Sequence, residues 1–236
     1  MNLKEIFFSK FGLFLEKISP KKEVQKCLKM LRPFEIKKNL IRLGEENDGG
    51  YLIPDDLENI QFCFSAGVSN LTKFEKDLQE KYNIKSIMAD PILVDTAILP
   101  KDSKFINKYI KSFNDDQSLD INKFIDTENE IILKIDIEGG EYEVLFSLDN
   151  KKLNQIRILV LELHDLRNLR YNFFQNLFKS LMQKLNYNFY ICHLHPNNSG
   201  KVKKIRDFYV PDMLEITLIN KNRINFKPDF SQNCNH

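Results

Sequence analysis

Residues 131–145, IILKIDIEGGEYEVL, constrain the fold of this chain more than any other stretch. Ile131, Ile132, Leu133, Ile135 and Ile137 form an apolar run of strand length, the pattern of a strand buried on both faces of a parallel sheet. Asp136 and Glu138 interrupt the run at its end, Gly139 and Gly140 follow, and a helical pattern starts at once. A buried strand that feeds directly into a helix implies a strand–helix–strand crossover and parallel pairing. In strand geometry Asp136 and Glu138 share one face, while Ile135 and Ile137 pack on the other. The two glycines are expected to turn the chain sharply, so that Asp136 and the helix N-terminus face one centre. The competing role for Asp136 is a cap on a helix at 140–148. For Glu141 the preferred reading is a favourable placement at that helix's positive end.

The rest of the chain repeats the alternation. Strands are predicted at 60–67, 84–91, 131–137, 156–163, 187–195 and 212–220, with a weaker one near 104–110. Helices are predicted at 70–83, with Asn70 or Thr72 as N-cap, at 118–125, at 140–148 and from about 168 to 185. Residues 1–40 read as one or two amphipathic helices broken at Ser19–Pro20. The fold class is therefore α/β: a doubly wound, mostly parallel seven-stranded sheet preceded by N-terminal helices. The irregular stretch 196–211 contains no helix, which suits an antiparallel last strand. The expected domains are a helical cap at 1–40, the main domain at 41–225 and a tail at 226–236.

Composition narrows the function classes. A net charge of +2 leaves no basic excess for a dedicated nucleic-acid binder. The longest apolar runs, such as IRILVLEL at 156–163, are too short to span a bilayer. Glu5 and Glu16 interrupt the N-terminal apolar clusters, and no small-residue cleavage site follows, so no signal peptide is read there. Cys27, Cys63, Cys192 and Cys234 lack CxxC spacing, which points to reduced thiols and a cytoplasmic protein.

The rare residues fall together. Of eight glycines, Gly44, Gly49, Gly50, Gly67, Gly139, Gly140 and Gly200 sit at strand ends or loops. Asp90, Asp136, Glu138, His164 and His195 fall beyond the carboxyl ends of strands, where open α/β sheets bind ligands. His193 and His195 lie two apart in a strand, a spacing that turns both rings to one face, although one of the pair is expected against the core or a helix. The polar HPNNSG that starts at His195 favours His195 for the site. The Lys/Asn-rich stretches at 70–83 and 101–112 read as solvated faces. A single glycine after a strand is more often a plain turn, and Asp90 before Pro91 could simply cap one; the weight comes from convergence on one sheet edge.

In order, the motifs RLGEENDGGYLIPDD (42–56), FSAGVSN (64–70), FEKDL (74–78), KIDIEGGEYEVL (134–145), LELH (161–164) and HPNNSG…PDMLEITL (195–218) resemble the FkbM-type S-adenosylmethionine-dependent methyltransferases. The resemblance covers roughly residues 40–220, with KIDIEGGEYEVL its most specific piece. It departs from the pattern in the cofactor loop, where Ala66 and Ser69 flank a single Gly67. It implies a class I, Rossmann-like methyltransferase that uses S-adenosyl-L-methionine to O-methylate a sugar, glycan precursor or related secondary metabolite. Cofactor contacts would come from Asp48, Gly49, Gly50, Tyr51, Ser65, Gly67 and Ser69, from Asp90 on the ribose, from Asp116 (or Asp115) on the adenine, and from Asp136. Asp136, His164 and His195 would be catalytic, and Glu138, Asn197 and Asn198 would contact the acceptor. The partners implied are a small-molecule or glycan acceptor, with no nucleic acid and no transmembrane segment, and a homodimer is compatible. No resident metal is assigned. The first alternative is a divalent-metal-dependent enzyme, a hydrolase or a metal-assisted methyltransferase, using Asp136, Glu162, His164 and His195. A second is a binding module with a vestigial pocket.

Overall fold

A computed structural model describes residues 7–8, 10–12, 17–46, 49–92 and 95–231. In chain order the elements are α1 (Lys21–Lys29), β1 (Leu40–Gly44), β2 (Gly50–Pro54), β3 (Phe62–Ala66), α2 (Lys73–Tyr82), β4 (Lys85–Ala89), β5 (Lys104–Ile106), β6 (Tyr109–Lys111) and β7 (Ser118–Asp120). They continue with α3 (Ile121–Phe124), β8 (Ile131–Ile135), α4 (Glu141–Ser147), α5 (Asn150–Gln155), β9 (Ile156–Leu163) and α6 (Asn172–Asn188). The chain closes with β10 (Phe189–Pro196), β11 (Val202–Ile205), β12 (Phe208–Pro211) and β13 (Leu214–Asn220).

Seven strands form one sheet in the order β10-β13-β9-β8-β3-β4-β5. The expectation of a mostly parallel sheet is corrected: the sheet is mixed. β5, β4, β3, β8 and β9 pair in parallel, whereas β13 pairs antiparallel with both β9 and β10. The cause is the connection. Each parallel pair is joined through a crossover, but β10 reaches β13 through the β11–β12 hairpin, and a short return of that kind reverses direction. The stretch 196–211, expected to be irregular, therefore contains a paired hairpin. The 104–110 strand divides into β5 and β6, and residues 118–120 are strand before helix α3 begins.

The sheet is covered on both faces. On one side α3, α4, α5 and α6 pack over a large core that includes Phe64, Leu133, Ile135, Leu145, Leu161, Phe178 and Leu185. Helix α1 joins this side through Val24 and Cys27, next to α6. Ser19 fixes its start, with its N–H donated to Arg170 O at 2.8 Å and its hydroxyl to Asn172 Oδ1 at 2.7 Å. On the other face, α2 and the antiparallel β1–β2 hairpin enclose a second core of Leu43, Tyr51, Ile53, Cys63, Phe74, Ile132, Ile158 and Val160. Thr217 Oγ1 donates to Leu52 O at 2.8 Å and ties that hairpin to β13. Cys27, Cys63 and Cys192 are buried free thiols.

Strand order reverses between β3 and β8. From β3 the chain goes to β4 and β5 on one side, then crosses to β8 and β9 on the other. Such a switch point leaves a crevice at the strands' carboxyl ends.

Candidate functional site

The turn that closes β8 is built around one approach of two chains. Asp136 N–H donates to Ala66 O at 2.9 Å, so the exit of β8 runs against the exit of β3. A Cβ at Gly67 would lie 1.6 Å from Asp136 O, and Gly67 has φ +77°. Only glycine fits there. The small residue thus serves the crossing of two strand ends as well as the loop. Beyond Asp136, Glu138 has φ 54° and Gly139 φ 99°, both left-handed, while Gly140 has φ −78°. Gly139 is the residue the turn requires by conformation. Gly140 is constrained by space instead, since a Cβ there would sit 3.1 Å from Ile137 Cδ1.

Glu141, read from sequence as a favourable helix-end charge, does more. Its carboxylate is fully buried and accepts from Ile137 N at 3.0 Å and from Gly139 N at 3.1 Å. It also meets His164 Nδ1 at 3.0 Å. The first-turn acid therefore folds back on its own turn and grips the histidine at the end of the neighbouring strand. Asp136 does not cap the helix: Gly140 holds the N-cap position, and the Asp136 carboxylate forms no hydrogen bond among the described residues.

Register places further acids beside it. Ile135 pairs with Leu161, so Asp136 and Glu162 emerge side by side; Glu215 lies opposite Glu162, and His195 opposite Glu215. Asp136, Glu162, Glu215 and His195 thus form a row across β8, β9, β13 and β10. His164 Nε2 lies 3.4 Å from Glu162 Oε1 and 3.5 Å from Glu138 Oε2. Burial raises the Asp136 carboxyl to about 7, reinforced by the Glu162 charge and opposed by Lys134 and His164. Burial pulls His164 down, but the Glu141 hydrogen bond and charge, with Glu162 and Asp136, carry it up to about 9. His193 and His195 stack at 6.5 Å with an 8° interplanar angle. They share one face, which corrects the expectation that one turns to the core or a helix. Burial and the His195 and Arg42 charges lower His193.

Behind Asp136 on the same strand face sits Lys134, 3% exposed, its Nζ 3.3 Å from the buried Glu75. The ammonium lies 5.6 and 5.8 Å from the ring centroids of Tyr51 and Phe74. Tyr51 is 3% exposed and feels the Asp136, Glu162 and Glu215 charges. Tyr51, on β2, therefore lies near the acidic row.

The other residues singled out in the sequence fall as follows. Asp90 Oδ2 accepts from Val68 N at 3.1 Å and Ser69 N at 3.0 Å, and Oδ1 accepts from Ile92 N at 2.8 Å. The acid at the end of β4 thus clamps the loop after β3, with Ser69 held at φ 45°. Ser65 Oγ lies 3.5 Å from Cys63 Sγ inside β3. Gly49 (φ 73°) and Gly50 close the β1–β2 hairpin, where a Cβ on Gly50 would meet Glu45 O at 1.8 Å. Asp48 lies outside the described residues. Asp116 is exposed in the loop between β6 and β7 and takes no part in the hydrogen bonds of the strand-end cluster. Asn197 is buried and donates to Glu162 Oε2 at 2.9 Å, while Asn198 is exposed in the following turn. Sequence reasoning missed the roles of Glu141, Glu215 and Lys134. A charged residue inside an apolar strand run was the available signal for Lys134 and Glu215; Glu141 carried none beyond its position.

A family model for the methyltransferase FkbM domain matches residues 38–191. The chain belongs to that family and is a methyltransferase enzyme. No curated protein matches the sequence. Among the described residues no helix is long and apolar enough to cross a membrane.

Proposed function

We propose that the protein transfers a methyl group from S-adenosyl-L-methionine to a hydroxyl of a sugar, glycan precursor or related secondary metabolite. The observation that carries the reading is Asp136: its carboxylate is partly buried at the switch point and takes no hydrogen bond from the fold, while the acids around it are engaged. A group placed so is available to a ligand's hydroxyl.

The residues present fit the cofactor. The 65–69 loop is made of small residues, turns through Gly67 and Ser69 at positive φ, and is clamped by a buried acid at the end of the next strand. Gly67, Ser69 and Asp90 would hold it on the β3–β4 side, with Asp136 between it and the acceptor. When bound, the cofactor supplies an electrophilic methyl on a sulfonium. The chain's own residues have three tasks: to hold the acceptor oxygen, to exclude water, and to remove the hydroxyl proton. Asp136 orients the hydroxyl, and His195, across from Glu215, takes its proton. His164, braced by Glu141, holds the acidic row in place. Asn198, exposed beside the row, offers an amide that pairs with sugar hydroxyls as donor and acceptor.

Calorimetric titration with S-adenosylhomocysteine tests the cofactor, and transfer of labelled methyl to a panel of glycosides and nucleotide sugars tests the acceptor. Saturable binding that Asp90→Ala weakens by roughly 1–3 kcal/mol is expected. A folded chain that ignores the compound overturns the reading.

A further inference from the structure

We propose that Asp136, Glu138 and His164 bind a divalent cation of the Mg2+ or Mn2+ class, which holds and polarises the acceptor hydroxyl. The inference rests on the methyltransferase reading of the same site and deepens it.

One ligand atom from each of the three residues lies within 4.8 Å of the others. His164 Nε2 and Glu138 Oε2, 3.5 Å apart, already have a spacing that two donors on one ion can take, and small side-chain rotations would bring all three donors within about 4.2 Å, twice a bond of about 2.1 Å. The nitrogen offered is Nε2 of His164, because Nδ1 is taken by the buried Glu141 at 3.0 Å. An imidazole that gives its other N–H to a carboxylate is the usual outer arrangement of a metal-ligating histidine. Two carboxylates and one imidazole would occupy three positions and leave others open to an acceptor oxygen.

A cluster of acids alone would be a solvated surface, and three further observations set this one apart. His164 is 7% exposed, and its Nε2 lies 3.4 Å from a Glu162 oxygen and 3.5 Å from a Glu138 oxygen. Tyr51, 3% exposed, lies close enough to feel the Asp136, Glu162 and Glu215 charges, so the acids act together on one small volume. Finally, Asp136, Glu138, Glu141 and Glu162 gather around one histidine, while Lys134, on the strand that leads to Asp136, is engaged by Glu75. A doubly charged ion offsets that excess, and a hydroxyl bound to it loses its proton more readily.

The test uses the full chain, dialysed against EDTA and titrated with MnCl2 by calorimetry and by the free-ion electron spin resonance signal. S-adenosylhomocysteine is titrated in parallel. One Mn2+ per chain is expected, weakened about tenfold or more in Glu138→Gln and in His164→Gln. Glu128→Gln, an exposed acid paired with Lys151, should bind as the wild type does. Glu138 is exposed, so its variant tests the site without threatening the fold. Absence of saturable Mn2+ binding overturns the proposal, as does binding that Glu138→Gln leaves unchanged. If S-adenosylhomocysteine binds and Mn2+ does not, only the cation site falls. If Mn2+ binds and S-adenosylhomocysteine does not, the methyl-donor reading falls instead.

Discussion

His164 Nδ1 lies 3.0 Å from Glu141 Oε1, and that contact joins the end of β9 to the turn after β8. The same carboxylate also holds the N–H groups of Ile137 and Gly139. One buried acid therefore fixes both the backbone that carries Asp136 and the orientation of the neighbouring histidine. Removing it would leave two part-buried backbone donors without their acceptor, at about 1–2 kcal/mol each.

Glu141→Ala is accordingly expected to destabilise the fold by roughly 2–4 kcal/mol, read from urea midpoints. Glu141→Gln keeps one carbonyl acceptor for the turn but loses the charge opposite His164. It should cost less stability while reducing turnover as strongly as Glu141→Ala. Equal stability loss in the two variants, with turnover kept in Glu141→Gln, would leave Glu141 a turn residue and nothing more.

Asp136→Asn should fold with an unchanged or higher melting temperature, because the Asp136 carboxylate forms no hydrogen bond in the fold and pays a desolvation penalty there. Turnover on the true acceptor is expected to fall by about 10²-fold or more, the scale of losing a positioned catalytic group. The informative result is the split between the two readouts: a stable variant of near-normal turnover would remove Asp136 from the site.

The opening stretch shows what was legible in the sequence. Its apolar run, its acids and its glycines placed a strand, a turn and a helix in that order, because burial on both faces leaves a strand few polar positions until it exits the sheet; Lys134, paired with the buried Glu75, is the exception. The mixed character of the sheet was less legible: β11 and β12 are four residues each with a single buried residue apiece, too short for an alternating pattern to show. Gly67 illustrates a different limit. The need for glycine was visible, but its cause is the Asp136 carbonyl, 69 positions further on, and no local pattern encodes that approach. The acidic row depends on register across four strands, which sequence order does not reveal.

Gly67 and Gly139, both at positive φ, should respond differently to alanine. At Gly139 the nearest atom to an added Cβ is Asp165 Oδ2 at 3.8 Å, so only backbone strain opposes it, about 1 kcal/mol. At Gly67 the methyl collides with Asp136 O, and neither strand end can move without breaking sheet pairing. Gly67→Ala is expected to lose more than about 4 kcal/mol or to yield no folded protein. Similar urea midpoints for the two variants would contradict the crossing of β3 and β8 described above.

A pH-dependent contribution is expected away from the site, at Asp56. This residue follows β2, is 8% exposed, and accepts from Arg223 Nε at 3.1 Å, Arg223 Nη2 at 3.3 Å and Lys38 Nζ at 3.4 Å. Burial pushes its carboxyl upward, but the Arg223 hydrogen bonds and charge, with Lys38, outweigh it and hold the group below the ordinary value. A carboxyl whose folded value is depressed adds stability that is present above its unfolded value, about 3.9, and lost as pH falls through the folded one. Asp56→Asn should therefore cost roughly 1–3 kcal/mol at pH 7, the cost of leaving charged donors without their acceptor. The same loss should persist at pH 5 and begin to shrink below about pH 4, as pH falls from the unfolded value toward the depressed folded one. Urea denaturation of both proteins at pH 7, 5 and 3 measures this directly. A difference that stays constant down to pH 3 would mean that Asp56 holds the end of the β1–β2 hairpin by shape and neutral hydrogen bonds, and that its charge contributes nothing.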